Sequence, residues 1–408
     1  MGPGRYTLAA RLWRKTIRAP ASPCRSTKTA MQNRSTAFAA HLREFIRRTT
    51  PDPTTSDAIP PEGSSHGFDA LALELFRIQF AANAPFRALC QARGVSPDDV
   101  ADWRGIPAVP TDAFKEADLT CLAPDRRTAV FHSSGTTQQR PSRHFHGVES
   151  LALYEASLKP WFHRHLLGKD APGGIAAGSR FVSLTPPAAA VPRSSLVHML
   201  DVVARGSGGD DPLFAGRIDA DGSWSIDADV VLEALASAET TDLPVLLLGT
   251  AFNFVHLVDL LAGRGIRHRL PEGSRVMETG GYKGRSREIP KDELHALITA
   301  GLGLPPGRIV TEYGMSELSS QAYEAWDGER GARCFAFPPW ARAVVVSPET
   351  GREVEEGGTG LLRIVDLANA WSVMAVQTGD LAVRRGAGFA LLGRAAAVEP
   401  RGCSLMAA

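Results

Sequence analysis

The amino-acid sequence predicts an α/β protein, in which a large domain of layered, largely parallel sheet is followed by a small β subdomain. Three observations carry that expectation. Strand and helix signals alternate from residue 128 to residue 312 with the lengths of β–α units. Residues 244–249, PVLLLG, form a continuous apolar run, the pattern of a strand buried on both faces. After residue 341, short apolar stretches alternate with Gly, Pro and Asp turns and no long helical pattern intervenes, which points to antiparallel strands.

In order along the chain, residues 68–91 carry apolar residues at helical spacing and predict one or two amphipathic helices. Pro107, Pro110 and Asp112 break that pattern. Residues 128–131 read as a short strand, 132–146 as a polar loop and 148–158 as a helix. A strand at 180–184, a helix at 196–204 and a Gly/Asp-rich loop at 205–212 follow. The apolar run 244–249 leads directly into a helix at 251–262. Next come a strand at 276–278, a glycine loop at 280–284, a helix at 291–302 and a strand at 308–312. Short strands at 342–347, 361–366, 373–377 and 388–392 complete the chain. The domains predicted are a basic leader or disordered extension at 1–36, an α/β core at 37–340, and a β-rich end with its tail at 341–408.

Composition narrows the function. Of 408 residues, 44% are hydrophobic and 22% charged, the proportions of a soluble globular protein, and no stretch is apolar enough for a membrane span. Residues 1–43 hold nine Lys/Arg and no acid, so the net charge of +1 conceals a remainder of −8. No basic surface for nucleic acid is implied. The leader has two readings: an Arg-, Ser- and Ala-rich transit peptide, or an extension upstream of an alternative start at Met31. Five scattered cysteines without a C-x-x-C pair fit neither a disulfide framework nor a cysteine zinc site, and point to a reducing cytoplasm.

Four segments could carry chemistry, each with a plain structural alternative. Residues 132–144 (HSSGTTQQRPSRH) place hydroxyls around Gly135 after a strand, a turn able to converge N–H and O–H groups on an anion, with Arg140, Arg143 and His144 supplying positive charge. A solvated loop is the alternative. Residues 310–317 (VTEYGMSE) end a strand with Glu312 and Glu317, which could hold Mg²⁺ together with phosphate oxygens. A helix start capped by Ser316 is the alternative. Residues 279–285 (TGGYKGR) allow close backbone approach to a flat ligand, with Tyr282 as a stacking face, or form only a tight loop. Finally, Thr378-Gly379-Asp380 could bind ribose hydroxyls and Gly393-Arg394 supply a cation, or both could be hairpin turns. Phe252, Phe254 and His256 read as pocket walls or, more simply, as core.

The order of these segments is more specific than any one of them. SSGTT, a Gly-Gly loop, Y-G-x-[ST]-E, T-G-D and G-R resemble the adenylation core of the acyl/aryl-CoA synthetase and luciferase superfamily. Within it, FRIQF, AFK, LGTAFNFVH, METGGYKGRSRE, TEYGMSELSSQ, PPWARA, DLAN and EPRGCSL resemble the acyl-protein synthetase (LuxE) family, related to phenylacetate-CoA ligases, over residues 68–408.

The resemblance implies an adenylate-forming, acyl-CoA synthetase-like large domain with ATP and Mg²⁺ as cofactors. Ser133, Ser134, Gly135, Thr136 and Thr137 would hold the ATP phosphates, and Gly280, Gly281 and Tyr282 would line the adenine. Tyr313 and Gly314 would lie near base and acyl group, Glu317 would bind Mg²⁺, and Asp380 would hold the ribose with Arg394 beside it. The implied activity is conversion of a fatty or other carboxylic acid to acyl-AMP, then transfer to a protein thiol such as Cys403. In bioluminescent bacteria this family works beside a reductase that makes aldehyde, which implies an acyl-reductase or acyl-carrier partner.

Two departures stand out. Gln138 replaces the usual glycine after G-T-T, and the last lysine is Lys291, with only 14 residues after Arg394. The mobile C-terminal domain that supplies a late lysine is therefore expected to be absent, and Lys283, Arg143 or a partner's residue would stand in. Two rival functions remain: a ligase loading coenzyme A or a carrier, and a catalytically weak nucleotide- or acyl-binding subunit.

Overall fold

A computed structural model describes residues 25–50, 65–133, 140–167, 179–206, 211–280, 289–327 and 332–395. The N-terminal part is helical: α1 (Arg25–Thr49), α2 (Ser65–Ala82) and α3 (Ala84–Ala92). Phe38, Leu42 and Ile46 of α1 lie one helical turn apart and are buried with Phe68, Leu75 and Phe76 of α2, so one apolar stripe meets another. Helix α1 begins at Arg25 and so crosses the boundary drawn at residue 36.

Next come β1 (Val109–Pro110), α4 (Ala113–Glu116) and a hairpin of β2 (Ala129–His132) and β3 (Arg143–His146). The α/β run continues as α5 (Val148–Phe162), β4 (Arg180–Ser183), α6 (Ser195–Gly206), β5 (Leu213–Phe214), β6 (Gly216–Ile218), β7 (Trp224–Ile226) and α7 (Ala228–Thr241). Then follow β8 (Val245–Thr250), α8 (Ala251–Arg264), β9 (Arg275–Thr279), α9 (Lys291–Leu302) and β10 (Ile309–Tyr313). The remaining strands are β11 (Ala322–Asp327), β12 (Ala332–Ala336), β13 (Ala341–Val346), β14 (Thr359–Asp366), β15 (Ala375–Arg385) and β16 (Gly388–Arg394).

Most strands join one continuous sheet in the order β13-β14-β15-β16-β12-β11-β10-β9-β8-β4-β5, with β1 beside β15. From β5 through β10 the pairs are parallel; from β10 through β13 they are antiparallel. The antiparallel pairing expected after residue 341 already begins at β11 within the same sheet, and the α/β expectation is borne out. The reason is visible in β8. Val245 and Leu247 face one core cluster while Leu246 and Leu248 face the other, as period-2 side chains of a doubly covered strand must. Thr250 closes β8 and caps α8 through a reciprocal bond pair with Asn253; Gly265 ends α8 at φ +64°.

One expectation fails. Residues 143–146, read as part of a polar loop, form β3, paired with β2 from His132↔Arg143 to Ala129↔His146. His144 and His146 both face inward and are buried, His146 beside Phe131 and Tyr154 and His144 against Phe114. Two histidines occupy the places where an apolar alternation would have revealed the strand.

Candidate active site

The parallel strands β9 and β10 end side by side, with Thr279 opposite Glu312, and the crevice beyond carboxyl strand ends is where open α/β sheets bind ligands. Both chains leave through glycine. Gly280 sits at φ +73°, which only a residue without Cβ adopts readily. At Gly314 a Cβ would collide with the Glu312 carboxylate. Beyond Gly314 the chain runs without helix or strand to β11, and this segment carries Glu317.

The loop is joined to the β2–β3 hairpin by a chain of hydrogen bonds. The Ser142 amide donates to Ser133 Oγ at 3.0 Å, Ser142 and Ser316 hydroxyls lie 3.2 Å apart, and Ser316 Oγ donates to Glu317 Oε2 at 3.0 Å. His144 Nδ1 donates to the Ser316 carbonyl at 2.9 Å. Burial pushes the His144 imidazole down to about 4, so at neutral pH it is an uncharged donor. The expectation that His144 supplies positive charge is therefore corrected: desolvation removes it.

On the other side, Tyr313 Oη donates to Asp380 Oδ2 at 2.7 Å, and Arg394 Nε lies 3.4 Å from Asp380 Oδ1. Asp380 and Arg394 are cross-strand partners on β15 and β16, so sheet register fixes the pair. Burial, reinforced by the Asp380 carboxylate, holds the Tyr313 hydroxyl well above its usual range and keeps it a donor. Its ring packs edge-on against Phe335, Phe337 and Phe389.

Ser133 and Glu317 are thus joined by one chain of bonds and Tyr313, Asp380 and Arg394 by another, on either side of Gly314, with Gly280 following the residue paired with Glu312; Arg143 pairs instead with Asp118. Ser134, Gly135, Thr136, Thr137, Gly281, Tyr282, Lys283 and Cys403 lie outside the described residues, as does Gln138. Arg143 has Nη2 3.0 Å from Asp118, while its buried Nε has no hydrogen-bond partner among the described residues. The two carboxylates read together as metal ligands are not equivalent. Glu312 accepts from the Thr279 hydroxyl, and burial raises its carboxyl to about 7. Among the described residues, the Glu317 carboxylate accepts from the Ser316 hydroxyl alone. A single carboxylate suits Mg²⁺, which takes one or two carboxylates plus phosphate oxygens; among the described residues no group of three or more His, Cys, Asp or Glu could hold a metal. Phe254 belongs to the core, the rings of Phe252 and His256 lie 4.4 Å apart and tilted, and Cys121 is in no disulfide.

Sequence reasoning overlooked two residues. Asp366 and Asn369, at the end of β14, bind the Glu317 loop through Ser319, Ser320 and Glu317 itself. An acid and an amide closing an apolar strand were the available signal.

The fold is that of the adenylate-forming, acyl-CoA synthetase-like proteins. An open conformation of 2-hydroxyisobutyryl-CoA ligase in complex with 2-HIB-AMP and CoA superposes with a TM-score of 0.56 at 15% identity, covering 85% of this chain and 82% of that one. The same enzyme in its postadenylation state gives 0.56 at 14% identity, covering 85% and 74%. Residues 215–408 match the model of the family described as acyl-protein synthetase, LuxE. The long-chain-fatty-acid–luciferin-component ligase of Vibrio harveyi is 21% identical over 333 residues, 76% of this chain and 77% of that protein. The chain is thus similar to the LuxE acyl-protein synthetases over its C-terminal part and to one of their relatives over most of its length, the family whose motifs it resembles. Among the described residues no helix is long and apolar enough to cross a membrane.

Proposed function

We propose that this protein activates a long-chain fatty or similar carboxylic acid with ATP and passes the acyl group to a protein thiol. The acid's oxygen attacks the α-phosphate, forming acyl-AMP and releasing pyrophosphate; a thiolate then attacks the acyl carbonyl, forming a thioester and releasing AMP. The observation that carries this reading is the bond chain from Ser133 through Ser142 and Ser316 to Glu317. It joins the stem of the hydroxyl-rich loop to the carboxylate in one contiguous unit.

In this reading Ser133 to Thr137 take the ATP phosphates, and Gly280 to Tyr282 border the adenine. Asp380, oriented by Tyr313 and Arg394, accepts from the ribose hydroxyls. Glu317 would hold Mg²⁺, which when bound neutralises phosphate charge. Arg143, whose Nε has no partner among the described residues, or Lys283 serves as the cation near the reacting phosphate. Cys403 is the acceptor in this proposal. Burial pushes the Cys121 thiol up to about 12, which makes it a poor nucleophile at neutral pH. A reducing, cytoplasmic setting and an acyl-reductase or acyl-carrier partner belong to the same reading.

The test is pyrophosphate–ATP exchange across a library of carboxylic acids. Exchange that depends on a long-chain acid supports the reading. No exchange with any acid leaves the binding-subunit alternative. Turnover that needs added coenzyme A, with no acylated protein, moves the function to a soluble-thiol ligase.

A further inference from the structure

We infer that Asn369 is a positioning residue for Glu317, fixing the peptide that carries the carboxylate; this rests on the function proposed above. The segment from Gly314 to Gln321 has no helix or strand, and its internal backbone bond is Leu318 N to Met315 O at 3.1 Å. Its course is set by side chains from two other parts of the fold. From β3 and the residue just before it, His144 and Ser142 hold Ser316. From the end of β14, Asp366 accepts from the amides of Ser319 and Ser320, each at 2.8 Å, and from Ser320 Oγ at 2.7 Å. Between these two anchors lies Glu317. Its carbonyl accepts from Asn369 Nδ2 at 2.9 Å.

Every polar atom of the Asn369 amide group is engaged. Nδ2 also donates to Val373 O at 3.1 Å, and Oδ1 accepts from Ser319 Oγ at 2.7 Å. A reversed amide would set its oxygen against two carbonyls, so the partners define one orientation. The Asn369 backbone is itself fixed: its N–H donates to Asp366 O at 3.1 Å, and its carbonyl accepts from Gln79 Nε2 at 2.8 Å. Gln79 Oε1 in turn accepts from Met374 N at 3.0 Å. Asn369 is 1% exposed, so solvent does not compete for these bonds.

Asp366 and Asn369 therefore do different things. Asp366 anchors the loop two and three residues beyond Glu317 and neutralises otherwise unpaired amides. Asn369 grips the Glu317 peptide itself. With Asp366 intact, loss of the Asn369 side chain leaves the loop tethered but lets the Glu317 peptide rotate between its neighbours. A displacement near 1 Å at a reacting centre lowers rates by on the order of 100-fold.

The experiment is a double-mutant cycle on the full chain, read by acid-dependent pyrophosphate exchange at saturating ATP and acid. Asn369→Ala is expected to lower kcat by about 10-fold or more with both KM values within about twofold. In a Glu317→Gln background the same substitution is expected to change kcat less than about twofold, because there is no longer a carboxylate to position. Asn369→Ser, which leaves a smaller cavity and a hydroxyl too short to reach the Glu317 carbonyl, serves if the alanine variant does not fold. An equal loss in both backgrounds, or unimpaired kcat in a folded variant, overturns the inference while an active wild type keeps the proposed function. A wild type without acid-dependent exchange refutes the function, and the positioning role with it.

Discussion

Glu312 makes the protein's stability depend on pH in a way that one substitution should remove. Its carboxyl is 5% exposed, accepts from Thr279, and lies near Glu278; burial first, then that neighbouring charge, raises it from 4.5 to about 7, against the hydrogen bond that lowers it. Between those two values the unfolded chain has released the proton while the folded protein still holds it. The folded state then binds more protons, so stability falls as pH rises from about 4.5 to 7 and is level above. At about 1.36 kcal/mol per pH unit, the loss is about 3 kcal/mol. Glu312→Gln keeps an acceptor for the Thr279 hydroxyl and cannot ionise. Urea denaturation of both proteins from pH 4.5 to 8 reads the difference directly. The variant should match the wild type near pH 4.5 and exceed it by about 3 kcal/mol at pH 8. Parallel stability curves over that range would show that Glu312 ionises freely in the folded protein and refute the reasoning.

Three further outcomes are expected. Asp380→Ala should raise KM for ATP by about 10-fold with little change in kcat, since charge-assisted bonds to ribose hydroxyls are lost; unaltered ATP affinity by calorimetry would make Asp380 a purely structural partner of Tyr313. Tyr313→Phe removes a buried donor from that carboxylate and should cost about 1.5–3 kcal/mol of stability, measured by denaturation; no loss would place the Asp380 charge in bulk solvent. Cys403→Ser should abolish the hydroxylamine-sensitive acyl adduct seen by intact mass while adenylate formation persists. An adduct that survives would move the acceptor to another cysteine, such as Cys334.

The parts of the fold that rest on local pattern were legible. The PVLLLG run became β8, buried on both faces, and the helix predicted at 291–302 coincides with α9. Strand β3 was hidden because His144 and His146 fill its inward positions. The union of parallel and antiparallel halves rests on pairings such as Phe335↔Phe389, which no local window contains. The candidate site divides the same way. Tyr313 stood out because it closes β10 next to Gly314, and Glu317 and Asp380 because they end the short strings YGMSE and TGD. Asn369 did not, because its role depends on Gln79, 290 residues earlier, and Glu317, 52 residues earlier. The charge state of His144 was also illegible, since only tertiary burial makes it neutral.

The central claim is that the crevice beyond β9 and β10 forms an acyl-adenylate with Glu317 at the reacting phosphates. Its most direct test is detection of labelled acyl-AMP, with matching pyrophosphate release, from wild type and Glu317→Gln incubated with ATP, Mg²⁺ and a long-chain fatty acid. The wild type should form acyl-AMP and the variant, folded to the same Tm, should form it more slowly by on the order of 100-fold. Equal rates in the two proteins at saturating Mg²⁺, or no acyl-AMP from the wild type, would contradict it.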